Sequence, residues 1–434
     1  MKKFIFKVIT IFSLIFIFFT INSRYIFADD IESEVSDDIT INTSANIDSD
    51  LSNINSRAYV VIDRATNLVL VGKNETQKRK MASTTKIMTA TVIIENCNLS
   101  DNVEISKKSA GTGGSRLGLK VGDKITVNDL LYGLMLCSGN DAAVALAEYC
   151  SGSVEEFAKK MNEKASSLGL SNTHFITPHG LDSDEHYTTA YELALLTNYA
   201  LKNDIFAKIV GTQNYTVTIN GYPKALKNTN ELLGNLNGVY GVKTGFTNGA
   251  NRCLVTSCKR NGMDIICVVL GADTKNFRTK DSISLIEYCF SNFEPFNIGA
   301  LVKSEFENWK NLNTKNFTFE KGTNVIPIFI LEDFPYDTIL IKKDQKNVDV
   351  IFDCDYNLVA PLFKNSSVGK VSVMVNNELL SSCDIILNND IYKNGINDYL
   401  ALFFKDYLVN INDLLWFYLY NDLQFCIIYN NLQP

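Results

Sequence analysis

From Arg57 onward the chain changes its hydrophobic period twice. Ala58 to Asp63 and Asn67 to Gly72 are β-branched runs joined by a tight turn at Ala65-Thr66, which predicts a hairpin. Met81 to Glu95 is apolar at helical spacing. Val127 to Leu136 and Asp141 to Cys150 predict two helices broken by Cys137 to Asn140, and Val154 to Leu168 predicts a third, amphipathic one. Beyond residue 235 the period becomes two: Gly238 to Thr244, Arg252 to Cys258 and Met263 to Gly271 read as consecutive strands, the last pair joined by an Asn261-Gly262 turn. Asp281 to Phe290 reads as a closing helix. Strands at both ends with helices between them predict an α+β domain over residues 57–292, an antiparallel sheet with a helical lobe beside it.

The flanking segments have other characters. Residues 293–390 alternate in short strands, including Val325 to Leu331, Thr338 to Lys342 and Lys370 to Val375, and predict a small all-β sandwich domain. Tyr399 to Tyr420 is mostly apolar, with Asp406, Asn410 and Asp413 on one side. Its longest unbroken apolar run is too short for a bilayer span, so residues 396–429 read as an amphipathic helix lying in the membrane surface; packing on a domain or partner is the alternative. At the other end, Lys2, Lys3 and Lys7 precede an apolar run from Val8 to Ile21, with Ala28 a small residue for cleavage. Residues 1–28 thus read as a signal peptide, an uncleaved anchor being the competitor. Asp29 to Ser56 is acidic, Ser/Asn-rich and poor in large apolar residues, and reads as a disordered tether.

Charge and cysteine usage narrow the function. A formal charge of −7 without a basic stripe argues against a nucleic-acid partner. The 10 cysteines are scattered through apolar segments with no CxxC and no framework spacing, which reads as mostly reduced, buried thiols; a Cys253–Cys267 pair across neighbouring strands is the other reading.

Candidate chemistry resides in three short elements: Ser83-Thr84-Thr85-Lys86, Ser138-Gly139-Asn140 and Lys243-Thr244-Gly245. Each is weak alone, for Ser367 and Lys370 repeat the first spacing and Ser-x-Asn triplets also begin at Ser44 and Ser100. Order and setting distinguish the first set: one opens an apolar helix, one sits between helices, one closes a strand. A serine hydroxyl needs a base, and Lys86 three residues along a helix shares its face. A lysine in a partly dry pocket, with Lys243 as a neighbouring cation, gives up its proton more readily. Ser138 can relay a proton, and the two-sided amide of Asn140 can hold both Lys86 and a substrate amide. Lys243 and Thr244 offer a cation and a hydroxyl to a carboxylate, and Gly245 permits close approach of an extended substrate. The histidines, His174, His179 and His186, fall in one loop-rich stretch and form no triad with a serine; a metal site there lacks an HExxH or a cysteine partner.

Over Arg57 to Asp390 the chain resembles the D-alanyl-D-alanine carboxypeptidases, the low-molecular-mass penicillin-binding proteins. The resemblance rests on the strings Met81 to Ala90, Cys137 to Ala143, His179-Gly180-Leu181-Asp182 and Val242-Lys243-Thr244-Gly245. It implies a β-lactamase/transpeptidase-like domain with a five-stranded antiparallel sheet, a C-terminal sandwich domain and a membrane-surface anchor, without cofactor or metal. It further implies that Ser83 attacks the carbonyl before the terminal D-alanine of a peptidoglycan stem peptide ending in D-Ala-D-Ala, with Lys86 as base, Ser138 as proton relay and Asn140 in support. The Ser83 and Phe246 N–H groups would form the oxyanion hole; Lys243, Thr244, Gly245 and Arg278 would hold the substrate, the last placed by counting without gaps from Lys243. β-Lactams would acylate Ser83 as inhibitors, and the protein would be exported to the outer face of the cytoplasmic membrane or the cell wall. Two departures stand out: Phe246 replaces the histidine of many relatives, and the tail is poorer in basic residues than the usual anchor.

Two rival functions fit parts of the pattern. A class A-like β-lactamase shares the first and third elements but needs a glutamate-bearing loop, for which residues 174–191 offer only Glu185. A non-catalytic β-lactam or wall-peptide binding module would keep the fold without releasing D-alanine.

Overall fold

A fully apolar strand must be covered on both faces, and this requirement organises the larger part of the molecule. The computed structural model describes residues 51–323, 325–344 and 347–405. The chain divides into two compact units: residues up to Pro295 together with Ile339–Lys343, and Phe296–Thr338 together with residues from Asp344 onward.

In the first unit, strands β1 (Ala58–Asp63) and β2 (Val69–Lys73) form the expected hairpin. After it come helix α1 (Lys86–Asn96), then α2 (Val127–Leu136) and α3 (Asn140–Ser151) on either side of the break at 137–139. Strands β3 (Val239–Thr247), β4 (Asn251–Arg260) and β5 (Met263–Ala272) precede helix α4 (Lys275–Asn292). The sheet order is β2-β1-β5-β4-β3, all antiparallel, so β3 is an edge strand. One sheet face, with Val60, Ile62, Val255, Ile266 and Val268, packs on the helical lobe. The other, with Val61, Leu254, Ile265 and Val269, packs on Leu285 and Ile286 of α4. The β4–β5 turn places Asn261 and Gly262 at φ 51° and 80°, the left-handed pair that a two-residue hairpin requires.

Several readings shift. Helix α4 starts at Lys275 rather than near residue 281, because the Thr274 hydroxyl accepts from the Phe277 N–H and caps it. The last residues of the presumed tether are docked, not solvated: the Ser56 N–H and Oγ both donate to Asp281, at 2.7 and 2.5 Å. Cys253 and Cys267 do not pair, since they lie on opposite faces of the sheet, in separate cores. A second hairpin, Asn214–Ile219 with Tyr222–Lys227, was not anticipated.

The second unit is not all β. It opens with a helix, Ile298–Asn313, whose Ile298, Val302, Phe306 and Trp309 are buried at helical spacing behind an Asn297 cap. Alternating strands elsewhere in the segment masked that period. Trp309 stacks on Phe352 and meets Phe317 and Phe329 edge-on, forming the core beneath a four-stranded sheet. Ser367 and Lys370, the decoy pair, are exposed on the strand Ser367–Val375. At its end the described chain is helical from 396 to 405, with Ile396, Tyr399, Leu400, Phe403 and Phe404 exposed. The remainder of that tail, the signal segment and the tether up to residue 50 lie outside the described residues. Among the described residues no helix is long and apolar enough to cross a membrane.

Candidate active site

The turn that carries Ser83 is local chemistry first. Ala82–Thr85 form a 3-10 turn, entered with Ala82 at φ 47°, and Lys86 then begins α1. Hydroxyls hold the strained entry: Thr84 Oγ1 donates to Met81 O at 2.6 Å and Thr85 Oγ1 to Ala82 O at 2.8 Å. His186 Nδ1 accepts from the Ile176 N–H, which leaves its proton on Nε2 to donate to Thr85 Oγ1 at 2.7 Å. Gly180 completes the cradle. At φ 92°, a Cβ there would sit 2.0 Å from Ala82 O, so only glycine lets the 174–190 loop close on the turn.

Lys86 is the hub. Its side chain is fully buried, and Nζ lies 2.7 Å from Ser83 Oγ, 2.7 Å from Asn140 Oδ1, 3.1 Å from His179 O and 3.3 Å from Ser138 Oγ. The His179 carbonyl only accepts. The Asn140 amide is oriented by its Nδ2, which donates to Gly113 O at 2.8 Å, so its Oδ1 also only accepts. These two acceptors hold the Lys86 amine in place against Ser83 Oγ.

The second element is placed by its break. Ser138 takes φ 60° between α2 and α3, and the Asn140 N–H donates to Ser115 O at 2.7 Å. Asp141, next in the chain, accepts from the Leu117, Gly118 and Leu119 N–H groups at 2.7–3.0 Å and fixes the 113–119 loop against α3. The third element lies on β3. A Cβ on Gly245 would approach the Ser83 and Thr84 nitrogens to 3.1 Å, so the strand edge runs directly past Ser83. Lys243 is buried; its Nζ donates to Thr244 O at 2.9 Å and its charge acts on Cys137, beside Ser138. Thr244 Oγ1 meets Thr229 Oγ1 at 2.8 Å. Phe246 is half-buried, its ring 3.7 Å from the Arg252 guanidinium across the β3–β4 pair. The strand end is clamped by Asp182, which accepts from Thr247 Oγ1 at 2.7 Å and the Gly249 N–H at 2.8 Å.

Arg278 stands in the first turn of α4, 1% exposed, and donates to Glu231 Oε1 at 2.5 Å. Burial pushes the Glu231 carboxyl up, but Arg278 and the Thr279 hydroxyl outweigh it and hold it below the usual range. Thr229 and Glu231 thus join Thr244 to Arg278 through one short segment. Of the nine residues singled out in the sequence, Ser83, Lys86, Ser138 and Asn140 form one hydrogen-bonded cluster, with Gly245 against it; Arg278 is brought to Glu231. Glu185 is exposed and engages His174 through its backbone carbonyl. No group of three His, Cys, Asp or Glu suited to a metal occurs among the described residues.

Residues 42–274 match the D-alanyl-D-alanine carboxypeptidase family (peptidase S11), and residues 310–393 match the penicillin-binding protein 5 C-terminal domain. The chain belongs to the D-alanyl-D-alanine carboxypeptidase family. It is 36% identical to the D-alanyl-D-alanine carboxypeptidase DacF of Bacillus subtilis, over 80% of this chain and 88% of that one. Among solved structures, penicillin-binding protein 5 from Haemophilus influenzae is 29% identical with a TM-score of 0.62, covering 78% of this chain and 98% of that one. The Streptomyces K15 DD-transpeptidase is 37% identical with a TM-score of 0.53, covering 55% and 98% respectively.

Within this carboxypeptidase fold, several supporting residues were not singled out from sequence: the His179 carbonyl, Asp141, Asp182, Thr229 and Glu231. Three of them lie inside the quoted strings His179 to Asp182 and Cys137 to Ala143. Glu231 carried no signal, because nothing in the chain foretells that its loop meets α4.

Two measurements check this geometry. Lys86→Met, which keeps the volume but removes the base, is expected to slow β-lactam acylation of Ser83 by about 10²–10⁴-fold; a rate within a few-fold of wild type would exclude Lys86 as the base. Burial holds His179 neutral down to about pH 3, with Lys86 and His186 adding to the effect, and holds His186 neutral down to about pH 4. Below the ordinary histidine value of 6.5 the unfolded chain takes up protons that the fold refuses, so stability is expected to fall from pH 6.5 towards 4. The slope reaches about 1.4 kcal/mol per pH unit for each histidine. His186→Gln should remove roughly half of it in urea titrations; an unchanged slope would place the titration elsewhere.

Proposed function

We propose that this protein is a penicillin-binding, serine-type D-Ala-D-Ala carboxypeptidase that works through an acyl-enzyme on Ser83. The observation that carries the reading is the buried Lys86 Nζ at 2.7 Å from Ser83 Oγ and 3.3 Å from Ser138 Oγ, held by the Asn140 and His179 oxygens. In this reading Ser83 Oγ attacks the carbonyl before the terminal D-alanine of a peptidoglycan stem peptide, and its proton passes to Lys86 Nζ. The developing oxyanion is met by the N–H groups of Ser83 and Phe246, on the two backbones that Gly245 allows to approach. Ser138, within reach of Lys86, returns the proton to the departing amine. Lys243 and Thr244 receive the D-alanine carboxylate, with the Arg278 guanidinium adding positive charge from beneath the strand. Water then cleaves the Ser83 ester and restores the hydroxyl. β-Lactams acylate the same oxygen.

Glu231 has a definite place in this scheme. Its pairing with Arg278 leaves the carboxylate subsite less positive than an unpaired arginine would, and fixes the guanidinium beside the strand. The ring of Phe246, at the position where the resemblance implies a histidine in many relatives, lies against the Arg252 guanidinium. A lactamase needs a carboxylate poised to activate water at the ester, and the exposed Glu185 does not supply one.

We propose further that the protein is exported and rests on the outer face of the cytoplasmic membrane through its tail. The exposed apolar residues Ile396, Tyr399, Phe403 and Phe404, at helical spacing, support this.

Two experiments test the reading. Purified protein is expected to release free D-alanine from a stem-type peptide ending in D-Ala-D-Ala, and Ser83→Ala to abolish release. Penicillin labelling of Ser83 without release would favour a binding module, and rapid penicillin turnover a lactamase. Truncation after Gly395 is expected to move the protein from the membrane to the soluble fraction with D-alanine release intact; a full-length protein already soluble would refute the anchor.

A further inference from the structure

Beside the third element of the site, two opposite charges meet on segments that no motif joins. The segment 228–231 is fastened to β3 at two points. Thr229 Oγ1 meets Thr244 Oγ1 at 2.8 Å, and Asn230 Nδ2 donates to Gly241 O at 2.9 Å. Leu232 then enters the core that also holds Leu285 of α4. Glu231, between these anchors, is thereby carried to the first turn of α4. There Arg278 Nη2 donates to its Oε1 at 2.5 Å, and the Thr279 hydroxyl donates to the same oxygen.

The pairing is one-sided. Glu231 Oε2 and Arg278 Nε are both buried without a hydrogen-bond partner among the described residues. A forked arginine–carboxylate pair satisfies both oxygens with parallel bonds; here one oxygen takes both donors and the other takes none. The Arg278 side chain is 1% exposed and that of Glu231 18%, so little water screens the two charges from each other or from the strand beside them. The reach of the arginine is visible on β4. Burial pushes the Cys253 thiol up to about 11, and the Arg278 charge pulls against it there. Cys253 stands opposite Gly245 in the β3–β4 register. A carboxylate fixed on the arginine subtracts from that field along the same stretch.

We propose that Glu231 is a specificity-determining residue: by offsetting Arg278 beside Thr244 it lowers the advantage of a free terminal carboxylate and admits acyl donors ending in a neutral ester or amide. The inference rests on the proposed function in taking Ser83 as the acylated residue and Lys243 and Thr244 as the carboxylate subsite. A carboxylate arriving at Thr244 is attracted by Lys243 and by Arg278, and repelled by Glu231. A neutral end feels little of either effect. The selectivity between the two ends therefore depends on a charge that touches neither Ser83 nor Lys86.

Benzylpenicillin and its methyl ester, which differ only at the carboxylate, are the probes. The second-order rate of Ser83 acylation by each is followed by mass spectrometry of the intact full-length protein. The wild-type chain is expected to be acylated by both. Glu231→Gln keeps the volume and an oxygen for Arg278 and Thr279, and is expected to raise the acid-to-ester rate ratio about tenfold. Glu231→Met removes the charge without that oxygen and should move the ratio the same way, so one folded variant suffices. An unchanged or lowered ratio, or an equal loss of both rates, would overturn the proposal, since a purely structural role slows both compounds alike. Wild-type acylation by the acid alone would also overturn it, as would the failure of both variants to fold, which would make the pair a structural requirement. D-alanine release from a stem-type peptide is measured on the same preparations. A raised ratio without release keeps the inference and refutes the carboxypeptidase reading, and release with an unmoved ratio does the reverse. Acylation by neither compound refutes both.

Discussion

Everything at the site depends on burying one lysine. Taking Lys86 out of water is costly unless its polar hydrogens find fixed partners, and the fold supplies them from three separate regions of the chain. Asn140 contributes an amide oxygen, His179 a carbonyl and Ser83 a hydroxyl. Two of these can only accept, and together they hold the amine against the Ser83 hydroxyl. The cluster is therefore a property of the surroundings and not of the Ser-x-x-Lys spacing, which Ser367 and Lys370 share on an exposed strand.

The surrounding structure reads as a support for that arrangement. Gly180 admits the 174–190 loop to the Ser83 turn, His186 and Thr85 tie it there, and Asp182 carries the restraint on to the end of β3. Asp141 does the same for the loop whose Gly113 carbonyl orients Asn140. Two of the three histidines, which from sequence suggested either nothing or a metal, are neutral buried members of this scaffold. The site is thus a set of hydrogen bonds over-determined from several directions, as a strained turn with Ala82 and Ser138 in left-handed conformations requires.

Arg278 shows what counting along the chain leaves undecided. Its position near the last strand followed from counting residues, but its partner did not. In this chain the guanidinium is held by Glu231, on the segment whose Thr229 touches Thr244. The positive charge of the buried Arg278 is thereby opposed by the partly buried Glu231, a residue outside every motif. On the same strand, the Phe246 ring lies against the Arg252 guanidinium of the neighbouring strand.

By itself the sequence determined the α+β class, the hairpins at 58–73 and 251–272, the helices flanking Ser138, and the three elements of the site. Those features are written in local period, turn residues and short spacing, which act over a few residues. It did not reveal the start of α4 at its Thr274 cap, the helix at 298–313 among alternating strands, the docking of Ser56 on Asp281, or the opposite faces of Cys253 and Cys267. It also left unspoken that Glu231 would meet Arg278. Those depend on which segments lie side by side after burial of both sheet faces. Such proximity is fixed by packing over the whole domain, and no local pattern encodes it.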